Sequence, residues 1–172
     1  MIIALLLGSP SDHSSKPTTS APSSGAALPP ISVSAPPSDP AAARPCTGVL
    51  AGLPVNLNGL QSRPALSSSA FVVAWGNPAV VLRCGVPRPA GLVPGSDAFT
   101  TGVDGVFFWV VHGKQATVFT VIDRAVYVEV TVPVTYAGGP LAPIADAVAK
   151  ALPSVCVVDG SAPVAHQCTH RP

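Results

Sequence analysis

The sequence predicts an α+β fold, in which an antiparallel sheet of about six strands, arranged in hairpins, has two helices packed on one face. Two observations lead to this prediction. The strand-like segments follow one another with only turns between them, which excludes a doubly wound parallel sheet. Helix-like segments flank this run of strands on both sides, at residues 46–53 and 140–153.

The first helical segment is "CTGVLAGLP". Its residues Cys46, Val49, Leu50 and Leu53 recur at helical spacing and form one apolar face, and Pro54 ends the helix. The second segment is "PLAPIADAVAKALP", which is amphipathic. Its apolar face consists of Leu141, Ile144, Ala145, Val148 and Leu152.

Three pairs of strand segments read as hairpins. The segments "SAFVVAWG" and "AVVLRCGV" flank the turn at residues 76–78. The segments "DAFTTGV" and "VFFWVVHG" flank Asp104 and Gly105, a dipeptide typical of a type I′ turn. The segments "ATVFTVI" and "AVYVEVTVPV" flank Asp123 and Arg124. In the last strand, Val126, Val128, Val130 and Val132 are expected on one face, and Tyr127, Glu129 and Thr131 on the other.

The charge content excludes one class of function. Charged residues make up 10% of the chain and the net charge is +1, against roughly 25% charged residues in ordinary soluble proteins. There is therefore no basic field for nucleic acid. No phosphate-binding glycine loop or metalloprotease motif occurs, so we expect no cofactor. The remaining charges, including Asp123 and Arg124, are expected in surface ion pairs and turns.

Composition divides the chain into three parts. Residues 9–45 hold ten serines and nine prolines, too little apolar surface to offset the entropy of ordering. We expect a disordered linker over residues 8–44. Residues 1–7 are apolar but shorter than the roughly 20 residues of a membrane span. We interpret them as the remnant of a hydrophobic signal or anchor, the alternative being an apolar start without a role. Residues 45–172 would form one disulfide-stapled domain.

Four cysteines, at positions 46, 84, 156 and 168, allow three disulfide connectivities. The local choice joins Cys156 to Cys168 and leaves Cys46 for Cys84. An even count after an export-like start favours disulfides over thiols. Leu82 and Cys84 share a strand face, and Cys46 lies on the apolar face of the first helix, so packing of the helix on the sheet would bring the second pair together.

Two alternatives use the same residues for chemistry. Cys84, His112 and Asp123 are a conceivable nucleophilic triad. Its weakness is that Arg83, which would lower the pKa of the Cys84 thiol, points to the opposite strand face. In "AHQCTH", His166 and His170 are conceivable metal ligands, but we interpret that segment as a polar tail and expect no metal site.

Several of these motifs carry a family resemblance. "CTGVLAGLP", "WGNPAVVLRCGVPRP", "GVFFWVV" and "FTVIDRAVYVEVTVP" resemble an actinobacterial, especially mycobacterial, family called domain of unknown function 3515, over about residues 45–153. Its members look like exported or membrane-anchored proteins. The family pattern carries two cysteines, which match Cys46 and Cys84. The resemblance implies no activity.

The sequence thus predicts an extracytoplasmic domain, secreted or anchored to the cytoplasmic membrane facing outward, that binds an unknown envelope protein or cell-wall component without catalysis. Its alternatives are an envelope hydrolase or transferase with an atypical site, and a structural spacer. A deep pocket holding Arg83, Arg88 or Asp123, together with a carboxylate of strongly shifted pKa, would favour an enzyme. The candidate binding surface consists of Trp75, Arg83, Arg88, Phe108 and Trp109.

Overall fold

The computed structural model of the chain describes residues 27–93, 99–136 and 139–155. Within these ranges it has nine β-strands, two α-helices and one short 3₁₀ helix, which confirms the predicted α+β class. The elements in chain order are β1 (Ile31–Ser32), α1 (Pro40–Gly52), β2 (Ser62–Arg63), β3 (Ala65–Leu66), β4 (Val72–Trp75), β5 (Val80–Val86), β6 (Thr100–Val103), β7 (Val106–His112), β8 (Ala116–Val121), β9 (Tyr127–Pro133), the 3₁₀ helix (Val134–Tyr136) and α2 (Leu141–Ala151).

Seven of these strands form one antiparallel sheet in the order β2-β4-β5-β9-β8-β7-β6. The three predicted hairpins, β4–β5, β6–β7 and β8–β9, are all confirmed. Strands β7 and β8 are paired as well, so that β6 to β9 form a continuous meander. Strand β9 then pairs with β5 and joins the meander to the first hairpin.

Turn chemistry and strand alternation both behave as the sequence predicts. Asp104 and Gly105 have φ angles of 48° and 76°, the positive values that a type I′ turn requires at both central residues. In β9 every second residue is buried: Val128, Val130 and Val132 are at most 3% exposed.

The core lies between the sheet and its two helices. Helix α1 packs against α2 and β5, and α2 also contacts β6 and β7. Leu82, Phe108 and Ile144, one from each of three elements, are fully buried there. Because strand residues alternate between faces, β5 and β9 present their other residues, such as Arg83 and Glu129, to the opposite side. We call this side, away from the helices, the outer face.

A disulfide joins α1 to β5, as predicted. Cys46 and Cys84 are bonded with their Cα atoms 5.6 Å apart, and both are 0% exposed. The bridge therefore lies inside the core, where the apolar face of α1 meets the inward residues of β5. Cys156 and Cys168 lie outside the described residues.

The folded region begins earlier than the predicted boundary at residue 45. Strand β1 pairs in parallel with β3, and α1 begins at Pro40. The side chain of Asp39 caps this helix by accepting the N–H of Ala41 at 2.8 Å. Residues 31–32 and 40–44 thus have regular structure where a linker was expected, because one short strand pairing and one cap order parts of a segment whose composition alone favours disorder. Residues 1–26, including the predicted anchor remnant, lie outside the described residues.

No helix in the described part of the chain is both long and apolar enough to cross a membrane.

Candidate functional site

A row of polar and aromatic side chains crosses the outer face. Strand register places Arg83 opposite Glu129, Glu129 opposite Thr120, and Thr120 opposite Trp109. These four residues come from four neighbouring strands, β5, β9, β8 and β7. Adjacent strands lie about 4.8 Å apart, so the row extends about 14 Å from Arg83 to Trp109.

Arg83 and Glu129 form an ion pair in the middle of the sheet. The Nε and Nη2 groups of Arg83 donate to Oε1 of Glu129 at 3.0 and 2.6 Å. The two side chains are 26% and 19% exposed, so the pair is partly desolvated. The Nη1 group of Arg83 donates to the hydroxyl of Ser34 at 3.1 Å, which ties the segment after β1 to the sheet.

A cavity of about 470 Å³ lies over this row; we call it the outer pocket. Its floor is formed by Arg83, Val118, Thr120, Glu129 and Trp109. Thr120 is only 2% exposed although it lies on the outer face, so chain segments cover the sheet here. One wall is residues 35–37 and the other is residues 86–90, and the two walls together contain four prolines.

The second wall is held in place by Arg88. Its Nε and Nη2 groups donate to the carbonyl oxygen of Leu92 at 3.2 and 2.6 Å, which closes the loop after β5. Gly91 in this loop lies so close to Trp109 that an added Cβ atom would be 3.0 Å from the indole ring. Arg88 thus positions the wall, and the wall packs against the indole at the end of the row.

The structure separates the five candidate binding-surface residues into two groups. Arg83, Arg88 and Trp109 line the outer pocket. Trp75 and Phe108 are 2% and 0% exposed and belong to the core, which corrects their assignment to a surface. Phe108 faces the helices because it neighbours Trp109 on β7 and adjacent strand residues point to opposite faces. The indole N–H of Trp75 donates to the carbonyl oxygen of Pro54 at 3.1 Å.

The comparisons with known proteins bear on the whole domain. A family model described as "Protein of unknown function (DUF3515)" matches residues 15–157. The chain belongs to this family. No curated protein and no solved structure matches the chain.

The cysteine triad considered for this DUF3515 domain is not assembled. Cys84 is bonded to Cys46 in the core and has no thiol. His112 is an exposed residue at the end of β7, where its ring lies 5.7 Å from that of Phe99. His166 and His170, the conceivable metal ligands, lie outside the described residues. Within the described ranges, no group of three or more histidine, cysteine, aspartate and glutamate residues is placed to hold a metal ion.

Asp123 and Arg124 form a buried ion pair at the β8–β9 turn, which corrects their predicted surface position. Their residues are 6% and 3% exposed. Arg124 donates to the carboxylate of Asp123 at 2.5 Å and to the carbonyl oxygen of Gly105 at 3.0 Å. Burial raises the pKa of the Asp123 carboxyl, and the charge of Arg124 opposes this shift without cancelling it. Val155 donates its N–H to the Asp123 carbonyl oxygen. The β8–β9 turn is thus hydrogen-bonded both to the β6–β7 turn, through Arg124 and Gly105, and to Val155.

A second cavity, of about 460 Å³, lies beside the first turn of α1. It shares residues 35–37 with the outer pocket and reaches Cys84 and Gly85. Most of its lining is small or proline, and its one carboxylate, Asp39, is used as the helix cap. The outer pocket therefore offers more groups for recognition.

The outer pocket offers donors and acceptors side by side. Three of the five N–H groups of Arg83 are used in the bonds given above. Both hydrogen bonds from Arg83 go to Oε1 of Glu129, and within the described residues Oε2 accepts none. Sequence reasoning placed Glu129 on the outward face of its strand but did not assign it to the site. Thr120 carried no signal, because nothing in its local pattern indicates which strands flank it.

Proposed function

We propose that this protein is a non-catalytic binding domain that works outside the cytoplasm and takes a component of the cell envelope into the outer pocket. One observation carries the proposal. Arg83, Glu129 and Trp109, which are far apart in the sequence, are aligned on the floor of one cavity by the register of four strands. Envelope proteins and cell-wall components are both candidate partners.

The construction of the pocket supports a role in recognition. Its floor lies on strands that are paired on both sides. Such strands fix the positions of binding side chains more precisely than a loop does. Its walls contain Pro36, Pro37, Pro87 and Pro89. Proline fixes φ near −65°, so these walls lose little conformational entropy when a ligand binds.

The Cys46–Cys84 bridge supports a location outside the cytoplasm, because disulfides persist in oxidising compartments. For a sequence separation of 38 residues, the chain-entropy model gives a stabilisation of about 3.9 kcal/mol. Domains are stable by only about 5–15 kcal/mol in total, so a compartment that reduced this bridge would remove a large share. The similarity to an actinobacterial family of exported or membrane-anchored proteins supports the same location, with a hydrophobic N-terminal segment as signal or anchor.

The hydrolase or transferase alternative needs an arginine-lined pocket and a carboxylate of shifted pKa in the same place. The outer pocket contains Arg83 and Arg88. The carboxyl with a raised pKa, Asp123, is buried at the β8–β9 turn and does not line that pocket. The geometry therefore favours binding over catalysis.

The binding role is tested by photo-crosslinking in intact cells. A photo-reactive amino acid at Val118, which lines the pocket, is expected to give an adduct with an envelope component, and Trp109→Ala in the same chain is expected to abolish it. The same photo-reactive group at Ala149, exposed on α2, serves as the control and should give no such adduct. Equal adducts from both positions, or none from Val118, would contradict the proposal.

The location is tested separately with a reporter fused to the C-terminus. The reporter is expected to be active outside the cytoplasmic membrane. Activity confined to the cytoplasm would refute export, whatever the crosslinking result.

A further inference from the structure

We infer that the ligand of the outer pocket is a neutral, hydroxyl-rich carbohydrate. This inference rests on the proposed binding function and names the ligand class of the same site. It is carried by three features of the pocket floor: an ion pair that offers both donors and acceptors, an indole at the far end of the row, and the position of the row in the middle of the sheet.

The ion pair selects against charged ligands of either sign. Arg83 and Glu129 compensate each other at 2.6 Å, so an anion that approaches Arg83 also meets the Glu129 carboxylate, and a cation meets the guanidinium. A like charge at a binding site is strongly unfavourable. A hydroxyl group both donates and accepts hydrogen bonds. A neutral ligand rich in hydroxyls can therefore use the remaining N–H groups of Arg83 and the Oε2 atom of Glu129 together.

The indole of Trp109 supplies the apolar part of the site. It lies three strands from Arg83 in the same row and lines the same cavity. An aromatic ring gives a large rigid apolar surface with a polar N–H at its edge. A sugar ring has apolar C–H faces and a polar rim, so a short chain of sugars can contact the indole at one end and the ion pair at the other. The row length of about 14 Å requires more than one ring.

The position of the row disfavours an extended peptide as the ligand. Peptides commonly bind sheets by adding a strand to an open edge, where main-chain groups are unpaired. Strands β5, β9, β8 and β7 are each paired on both sides, so the floor offers side chains and no ladder of free main-chain groups. Arg88 also lines the pocket and keeps its positive charge while it bonds to the carbonyl oxygen of Leu92, so an acidic sugar chain is included as a comparison probe in the test.

The two tryptophans of the chain provide an internal control for the test. The indole N–H of Trp75 is in the core and bonded to Pro54, whereas Trp109 lines the pocket. In ¹H–¹⁵N spectra, titration with neutral tetrasaccharides of glucose, mannose, arabinose or N-acetylglucosamine is expected to shift the Trp109 indole signal saturably, with at least one of the four. The Trp75 signal should not move. Tetragalacturonate and a proline-rich tetrapeptide are the charged and peptidic comparison probes.

Two variants assign the binding to the row. Glu129→Gln replaces the charged acceptor with a neutral one and is expected to weaken the binding by about tenfold, which is about 1.4 kcal/mol, because hydrogen bonds to charged groups are stronger than those to neutral groups. Phe107 lies on β7, on the same face as Trp109, but it is 55% exposed and outside the pocket lining. Phe107→Ala should therefore leave the binding unchanged.

The outcomes separate this inference from the proposed function. If only tetragalacturonate or the peptide shifts Trp109, the inference of a neutral carbohydrate is wrong and the binding function stands. If no neutral tetrasaccharide shifts Trp109 at millimolar concentration, or if Phe107→Ala weakens binding as much as Glu129→Gln, the inference is also wrong. A positive crosslink from Val118 would still support the binding function in that case.

Discussion

Among single residues, Asp123 has the clearest thermodynamic consequence. Its carboxyl is buried beside Arg124, and burial raises its pKa above the ordinary value of 3.8. A group whose pKa is raised by folding binds protons more tightly in the folded state. Its contribution to stability is therefore full below the unfolded pKa and is lost as the pH rises through the folded pKa.

This sign gives a pH prediction for Asp123→Asn. The variant replaces the titrating carboxyl with a neutral amide of the same shape, so its stability does not follow the titration of Asp123. Acidification from neutrality towards pH 4 should stabilise the wild type relative to the variant. Urea unfolding of both proteins at several pH values measures the difference. A wild type that loses stability on acidification relative to the variant would show that the pKa is lowered instead.

The sequence predicts well which residues of a strand share a face. It predicts poorly what that face contacts in the folded domain. Alternation correctly put Arg83 outward and Leu82 inward. It did not identify which of Phe108 and Trp109 faces the core, because both neighbours are large and aromatic and the answer depends on which face the helices cover. The Arg83–Glu129 pair was also beyond reach, since it requires the register between strands 46 residues apart in sequence.

Among the elements, α1 and β5 lie close together at Gly85. This residue has φ = +85°, and an added Cβ atom would lie 3.2 Å from the Cβ of Ala42 on the helix and 3.7 Å from Sγ of Cys46. It also lies at the irregularity in the β5–β9 pairing. A side chain at this position would therefore meet both backbone strain and the surface of α1.

Gly59 provides a matched control for this approach. Its φ is +83°, but nothing lies within 4 Å of an added Cβ atom. Gly59→Ala is expected to cost only backbone strain, about 1–2 kcal/mol. Gly85→Ala should cost about 1–3 kcal/mol more because it overpacks the contact with the helix. Chemical denaturation of the two variants measures both costs. Equal losses would mean that α1 does not constrain β5 at this point.

Element prediction from the sequence succeeded where the local signal was strong. The Asp104–Gly105 turn and the apolar face of α2 identified the second hairpin and the last helix within a few residues. Strand β1 escaped prediction because it has two residues and pairs in parallel with β3, a contact that no periodicity reveals. The early start of α1 escaped for a related reason, since Pro40 and Pro45 resemble linker residues. Pro40 lies in the first turn, where a helix tolerates proline, and Pro45 lies inside the helix.

At the scale of the whole molecule, residues 27–38 form part of the folded domain. Ile31 and Val33 donate to the carbonyl oxygens of Pro64 and Leu66, the carbonyl oxygen of Pro29 accepts from Arg63, and Ser34 accepts from Arg83. A chain that starts at Asp39 keeps the helix cap but loses these four bonds. It should be less stable than a chain that starts at residue 27 by about 4 kcal/mol, at about 1 kcal/mol per bond. Thermal unfolding of the two proteins is the measurement, and equal stability would mean that the segment packs without contributing.

The burial of the disulfide links its reduction to the unfolding of the domain. Cys46 and Cys84 are 0% exposed, so a reductant cannot reach the bridge while α1 remains packed on β5. Reduction by dithiothreitol is therefore expected to require unfolding of the domain, and its logarithmic rate should rise linearly with urea, as the population of the unfolded state does. Gly85→Ala, which loosens the contact of α1 with β5, should accelerate reduction in proportion to its loss of stability, whereas Gly59→Ala should do so less. Alkylation of the peptide that contains Cys84, followed by mass spectrometry, gives the rate. A rate that does not respond to urea would mean that a local opening exposes the bridge, and the bridge would then be accessible to cellular reductants in the native protein.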